Sequence, residues 1–242
     1  MIQFLALRFL SIFDFFHKKK MMLFLKKKKF INFKVVFDVG AHKGETLNLY
    51  LSHFNIKKIY SFEPSYFSFN KLKKAIEKIK NKKIKTEIII ENIAFGIENK
   101  DIKLKHMYES SSSTIKELNI ESKYYKKKKT FLLNFKNQNL FNEITVRQKN
   151  IDQYMAQKKI QKIDFLKIDT EGSEFEILYG AKLNFKNIKL ILFEHHYHDM
   201  IKKNYTFSKI HDLLKKNNFE QIYKAKMPFR KTFEYIYKNK TY

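Results

Sequence analysis

The sequence predicts an α/β fold: a doubly wound, mostly parallel sheet of about seven strands, closed by a terminal antiparallel hairpin. Three observations predict it. From residue 34 onward, short apolar runs alternate with segments of helical period. Glycine is scarce, with five in 242 residues against the usual share of about 7%. The five, Gly40, Gly44, Gly96, Gly172 and Gly180, all fall at the ends of such segments, where a Cβ is least tolerable. Finally, two strand–loop–helix units resemble each other. Val35-Val36-Phe37 runs into Asp38-Val39-Gly40-Ala41-His42-Lys43-Gly44, and Ile163–Ile168 runs into Asp169-Thr170-Glu171-Gly172.

The elements follow in order. Ile2 to Phe16 is apolar apart from Gln3, Arg8, Ser11 and Asp14, and lysines follow it. A secretory signal carries its charge before the apolar stretch, and a membrane span needs about 20 apolar residues. Two readings stand: a helix packed on the domain, or an interfacial anchor with lysines toward anionic headgroups. Residues 1–33 are therefore separated from a single domain at 34–242. Val35–Val39 is a buried strand and Glu45–Phe54 a helix. Lys58–Phe62 is the second strand, stopped at Pro64, a residue that also suits the start of a helix. Phe69, Leu72, Ile76 and Ile79 form one helical face. Glu87–Ile93 reads as a third strand turned at Gly96.

Residues 97–162 are less regular. Ser110–Thr114 reads as a loop. Thr130–Phe135 and Glu143–Gln148 read as a hairpin about an Asn-rich turn at Asn137–Asn142, and Ile151–Lys158 as a short helix. Ile163–Asp169 resumes the regular strands. Ser173 and Glu176 have the spacing of a capping box, for a helix ended by Gly180 as a C′ glycine. Ile188–Glu194 is a strand, and Phe207, Ile210, Leu213 and Leu214 mark a helix. Phe219–Lys224 and Thr232–Tyr237 are the closing strands, on either side of Pro228.

The formal net charge is +26, from 50 Lys and Arg against 24 Asp and Glu. Such a balance suits nucleic acid or an anionic membrane. Composition offers a blander cause: Lys, Ile, Asn and Phe are abundant, Gly, Pro and Trp are scarce, and Arg is far rarer than Lys. That is the profile of an AT-rich coding sequence. The absence of cysteine excludes disulfides, thiolate zinc sites and Cys nucleophiles. It fits a reducing compartment, so a cytoplasmic location is expected, with peripheral membrane contact if the N-terminal segment is the interfacial anchor of the two readings above.

In sheets of this kind ligands bind beyond the C-terminal ends of the strands. Gly40 lets backbone approach a nucleoside ligand there, and Gly44 lets the next helix pack close. The spacing is not G-x-G-x-x-G, which counts against a nicotinamide or flavin enzyme. Glu63, ending the second strand beside Pro64, suits the two hydroxyls of a ribose. Asn92, before Ala94, suits either an adenine contact or a turn cap. Asp169 and Glu171 suit orienting an acceptor hydroxyl or taking its proton, and close like charges raise one of two pKa values toward the useful range. Alternatively they only order the following helix N-terminus. Glu194, His196 and His198 share a strand face by alternation. With Asp169 they suit a divalent metal or, as the favoured reading, a metal-free polar acceptor pocket.

Together these segments resemble the FkbM-type family of S-adenosylmethionine-dependent methyltransferases, over roughly residues 34–200. The resemblance rests on residues 35–44, Phe62-Glu63-Pro64, Asn92-Ile93-Ala94, residues 164–174 with Lys167-Ile168-Asp169-Thr170-Glu171-Gly172 at their centre, Leu178-Tyr179-Gly180-Ala181, and Glu194-His195-His196. His42 stands where the family often has Asn. The resemblance implies a class I methyltransferase (Rossmann-like) sheet, S-adenosylmethionine as donor, and usually a hydroxyl acceptor on a sugar or small polar metabolite. Carried over by position, Asp38, Gly40, Ala41, His42 and Gly44 hold the methionine moiety. Glu63 and Pro64 hold the ribose, and Asn92 and Ala94 lie by the adenine. Asp169, Glu171 and His196 are the catalytic candidates, Asp169 first among them as base, and Glu194 and His195 contact the acceptor. The implied partner is a small-molecule or glycan acceptor. RNA ribose methylation is the alternative that uses the charge; no Asn/Asp-Pro-Pro-Tyr type loop supports base methylation, and nucleic acid is not favoured. A non-catalytic basic binding module on the same fold is the remaining alternative.

Overall fold

The computed structural model describes residues 2–81, 84–107, 112–133 and 140–242. The chain runs α1 (Ile2–Lys27), β1 (Asn32–Val39), α2 (Glu45–His53), β2 (Asn55–Phe62), α3 (Tyr66–Lys80) and β3 (Glu87–Glu91). It continues with β4 (Ala94–Gly96), β5 (Lys100–Met107), α4 (Lys123–Leu133), β6 (Phe141–Asn150) and α5 (Ile151–Gln157). It ends with β7 (Ile163–Ile168), α6 (Glu174–Tyr179), a 3₁₀ turn (Lys182–Asn187), β8 (Ile188–His196), α7 (Phe207–Lys216), β9 (Phe219–Lys226) and β10 (Thr232–Asn239).

Seven strands form the main sheet in the order β3-β2-β1-β7-β8-β10-β9. β1 is parallel to β2 and β7, and β7 to β8, whereas β10 is antiparallel to both its neighbours. The expected doubly wound sheet with its closing hairpin is therefore present. Strand order reverses between β1 and β7, the switch point where such sheets bind ligands. Period-two alternation sends side chains into two apolar layers. Phe37, Phe62, Leu166 and Phe193 enter one, and Val36, Ile59, Phe165 and Leu192 the other. In the first layer the Tyr154 ring meets Phe37, Tyr60, Phe62 and Phe95 at centroid distances of 5.3–6.4 Å. Each such aromatic pair adds about 0.5–1.5 kcal/mol beyond burial.

The N-terminal segment joins the second layer. Met21, Met22 and Leu25 of α1 are buried there with α2 and α3 residues. Among the described residues no helix is long and apolar enough to cross a membrane.

Four local expectations need correcting. Thr130–Phe135 does not begin a hairpin: residues up to Leu133 belong to α4, which Ser122 caps by accepting the Tyr125 N–H at 3.0 Å. The expected turn at Asn137–Asn142 lies partly outside the described residues. Glu143–Gln148 lies inside β6, which pairs antiparallel with β5 and parallel with β4 in a separate three-stranded sheet. The third strand ends at Glu91, and Asn92-Ile93 crosses into that second sheet. The capping box is not formed. The Ser173 hydroxyl makes no cap bond, and Glu174 instead accepts the Gly172 N–H at 2.9 Å. Nor is Gly180 left-handed. It has φ −72°, and a Cβ there would lie 2.2 Å from the Gly96 carbonyl oxygen, so close passage of β4 excludes a side chain.

Candidate active site

A cleft of about 910 Å³ opens over the C-terminal ends of β1, β2, β7 and β8. That is at the upper end of the roughly 300–1,000 Å³ of small-molecule sites, room for a nucleoside-sized donor and an acceptor. Gly40, Ala41, His42, Glu63, Pro64 and Ala94 line one side, and Asp169, Glu171, Glu194 and His196 the other.

The first loop is shaped by backbone. The Gly40 and Ala41 N–H groups both donate to the Phe62 carbonyl at 3.0 Å. Gly40 has φ +76°, and a Cβ there would lie 1.9 Å from the Asp169 carbonyl oxygen. The glycine is thus required by the neighbouring strand's own loop, and not in the first instance by a ligand. His42 has φ +49°, a left-handed conformation in which Asn and His are both enriched. This is why His serves where an Asn is usual. Its N–H donates to Glu63 Oε2 at 2.9 Å, and the Ser65 N–H donates to Glu63 Oε1 at 2.9 Å. Burial pushes the Glu63 carboxyl up, and these two N–H groups pull back against it. The His42 ring lies 2.8 Å from Glu45, whose pKa falls to about 2 despite partial burial through this contact.

Four expected residues stand behind the cleft lining. Asp38 is fully buried 2.9 Å from Lys167 Nζ. Gly44 packs under Leu72 of α3. Asn92 donates to the carbonyls of Glu63 and Pro64, at 2.8 and 2.9 Å, and so clamps that turn from outside. His195 faces the opposite way from Glu194 and His196, because β8 alternates. Its ring sits among Tyr197, Tyr205 and Phe207.

The acceptor side contains residues the sequence reading overlooked. Lys167, 3% exposed, donates to the Gly40 carbonyl at 2.7 Å and lies 2.9 Å from Asp38 and 3.6 Å from Asp169. A lysine between the apolar Leu166 and Ile168 of the buried strand Ile163–Ile168 was the available signal. Lys18 reaches Asp169 from α1 at 4.0 Å, and no local pattern announces it. The two lysines hold the Asp169 carboxyl below its ordinary value in spite of burial. The raised carboxyl is Glu194, which burial and the neighbouring Asp169, Glu171 and Glu234 push well above the usual range. The like-charge effect expected for Asp169 and Glu171 therefore falls on Glu194.

His196 joins these groups. Its Nδ1 lies 3.1 Å from Thr232 Oγ1, and its Nε2 lies 3.2 Å from Glu171 and 3.4 Å from Glu194. Burial lowers its pKa to about 4, so the imidazole is neutral near pH 7. Glu171 is held at φ +53°, a costly conformation for a residue with a Cβ, and its carbonyl accepts from Thr114 at 2.6 Å. Glu171, Glu194 and His196 each offer one ligand atom within 4.8 Å of the others, a set able to hold a divalent cation. With Asp169 they form a compact polar patch of carboxylates and imidazole on the far wall of the cleft.

His195 supplies a stability test. Burial lowers its pKa to about 3, against about 6.5 when unfolded. Between those values the unfolded chain binds the proton and the folded chain does not, so this residue's contribution falls as pH drops below 6.5. Phenylalanine fits the same aromatic surroundings without the buried Nδ1, which has no hydrogen-bond partner among the described residues. In thermal melts His195→Phe is expected to raise Tm more at pH 5 than at pH 7.5. An equal change at both would remove the titration argument.

Residues 38–220 match the family model described as a methyltransferase FkbM domain. Among solved structures, the FkbM methyltransferase from Methylobacillus flagellatus superposes with TM-score 0.52 at 13% identity, covering 85% of this chain and 44% of that one. The present chain thus spans less than half of that protein's length. Magnesium protoporphyrin IX methyltransferase from Synechocystis, solved with bound S-adenosylmethionine, superposes with TM-score 0.54 at 6% identity, covering 94% of this chain and 80% of that one. At these identities the likeness is one of fold. A search of curated protein sequences found no match.

Proposed function

The chain belongs to the FkbM methyltransferase domain family, and from that premise we propose that it methylates a hydroxyl group on a sugar, glycan or small polar metabolite. S-adenosylmethionine is the family's methyl donor. The observation that carries the proposal is one cleft with a loop-and-carboxylate wall at β1–β2 and a proton-accepting patch at β7–β8.

The residues fit the donor. Glu63 is positioned by two backbone N–H groups and still lines the cleft, as a ribose-binding carboxylate must. Phe62, Ile93 and Phe95 add apolar walls on the same side. When bound, the sulfonium supplies an electrophilic methyl group. The remaining demands are alignment and proton removal, and alignment alone supplies much of the acceleration in such a displacement. Asp169 stays ionised beside Lys18 and Lys167, so it accepts the hydrogen bond of the acceptor hydroxyl and orients its oxygen. Glu171, backed by neutral His196, is placed to take the proton of the acceptor hydroxyl.

Calorimetric titration with S-adenosylhomocysteine tests the donor half. Wild-type protein is expected to bind in the micromolar range. Glu63→Gln, which keeps the shape but loses the charge, is expected to weaken binding at least about tenfold, the loss of charge-assisted hydrogen bonds to the ribose. A folded wild-type protein that does not bind would sink the proposal.

A further inference from the structure

The outward face of α1 is open to solvent. Its exposed positions are Phe9, Ser11, Ile12, Phe15, Phe16, Lys19, Lys20, Leu23, Lys26 and Lys27, one side of the helix. Five of these are large apolar side chains at 50–60% exposure. Phe229, 72% exposed, extends the patch by packing on Phe9 and Phe13. Soluble monomers rarely leave such contiguous apolar surface uncovered.

We propose that this face seats the protein on an anionic bilayer, and that the acceptor is an amphiphile drawn from it, a hydroxylated headgroup on an apolar tail. The second clause rests on the methyltransferase reading. Charge identifies the occupant. Residues 1–33 hold seven lysines and one acid, Asp14, which is paired with Arg230 at 2.8 Å. The apolar stripe comes first and the lysines Lys19, Lys20, Lys26 and Lys27 continue the same side, the arrangement of an interfacial helix that buries apolar residues and meets anionic headgroups. No helix among the described residues spans a membrane, so the helix lies in the interface.

Geometry connects that surface to the cleft. Leu10, Asp14, Phe15 and Lys18 line the cleft from α1, and Phe15 belongs to both surfaces. Across the opening, α4 contributes Lys127, Lys128 and Phe131. An acceptor rising along Phe15 and Phe131 keeps its tail against apolar walls while its headgroup passes the lysines toward Asp169.

Sedimentation with vesicles tests the surface. The full chain is expected to bind equimolar phosphatidylglycerol–phosphatidylcholine vesicles, to bind phosphatidylcholine alone far less, and to release at high salt. Lys19→Ala with Lys20→Ala should weaken binding roughly 25-fold, about fivefold for each lysine. The triple variant Phe9→Ser, Ile12→Ser, Phe16→Ser should abolish it and keep S-adenosylhomocysteine affinity, which certifies its fold. Equal binding to both vesicle types, or binding unchanged in the triple variant, overturns the proposal. So does a dimer on size exclusion that the triple variant dissolves, because a second copy then covers the face. Vesicle binding without S-adenosylhomocysteine binding leaves the surface standing and overturns the enzyme reading instead. For the acceptor, tritiated S-adenosylmethionine is supplied with a whole-cell extract, which holds both lipids and water-soluble glycans. Label in the organic phase supports an amphiphile, and label only in water-soluble glycans overturns it.

Discussion

Replacing Lys167 by methionine is expected to cost about 3–5 kcal/mol of folding stability, the penalty for removing one partner of a buried ion pair. The side chain is 3% exposed and Asp38 is fully buried. Among the described residues Asp38 Oδ1 accepts no other hydrogen bond, so the Lys167 ammonium at 2.9 Å is its principal compensation. The same ammonium ties the Gly40 carbonyl to the Asp169 carboxylate, and so joins the donor loop to the acceptor patch. Methionine fills the volume and leaves the buried Asp38 carboxyl without its ion-pair partner. Urea unfolding followed by circular dichroism measures the loss. Asp38→Asn with Lys167→Met should recover part of it, because neither charge then remains unpaired. A single variant within 1 kcal/mol of wild type, on the order of an exposed pair, would show that the network is solvated. The pair raises the lysine pKa, so its contribution is complete below the unfolded value of about 10.4. It is lost only as pH rises through the folded value, and the destabilisation should be constant from pH 6 to 9.

That lysine also marks how far the sequence could be read. The main sheet was legible because its buried strands are short apolar runs, and because glycine survives in this chain only where backbone or a packed side chain passes close. Val35–Val39 and Ile163–Ile168 announced themselves in this way. The second sheet was hidden. Its strand Lys100–Met107 alternates lysine with Ile102 and Leu104, a pattern diluted by the general excess of lysine. Phe131, Leu132 and Leu133 have strand-like composition yet end a helix, because Ser122 caps it and Tyr125 anchors it in the cluster with Leu118 and Met200. At the site, strand alternation put Glu194 and His196 on one face and also sent His195 away from it. Proton affinities were beyond reach of the sequence. The ionised state of Asp169 depends on Lys18, which α1 brings from the other end of the chain.

Glu171→Gln is expected to lower the rate of methyl transfer by about 10²–10⁴-fold, the range of a lost general base, with S-adenosylhomocysteine affinity within about threefold of wild type. Among the cleft carboxylates, Asp169 is held ionised by two lysines and Glu194 is 7% exposed with its pKa well raised. Glu171 is 14% exposed and lies 3.2 Å from the Nε2 of a neutral imidazole. A proton arriving on its carboxylate is therefore shared with His196, whose other nitrogen is fixed by Thr232. Asp169→Asn removes an orienting acceptor without removing the proton's destination, so its loss should be smaller and should fall mainly on KM for the acceptor. Initial rates with tritiated S-adenosylmethionine and a membrane extract as acceptor source separate the two. His196→Asn should resemble Glu171→Gln, because the carboxylate then loses the group that shares its proton. The opposite ranking, with Asp169→Asn crippled and Glu171→Gln near wild type, would make Asp169 the base and leave Glu171 and His196 as supports. If chelation of divalent cations abolishes wild-type transfer, Glu171, Glu194 and His196 act first as ligands, and the proton leaves by another route.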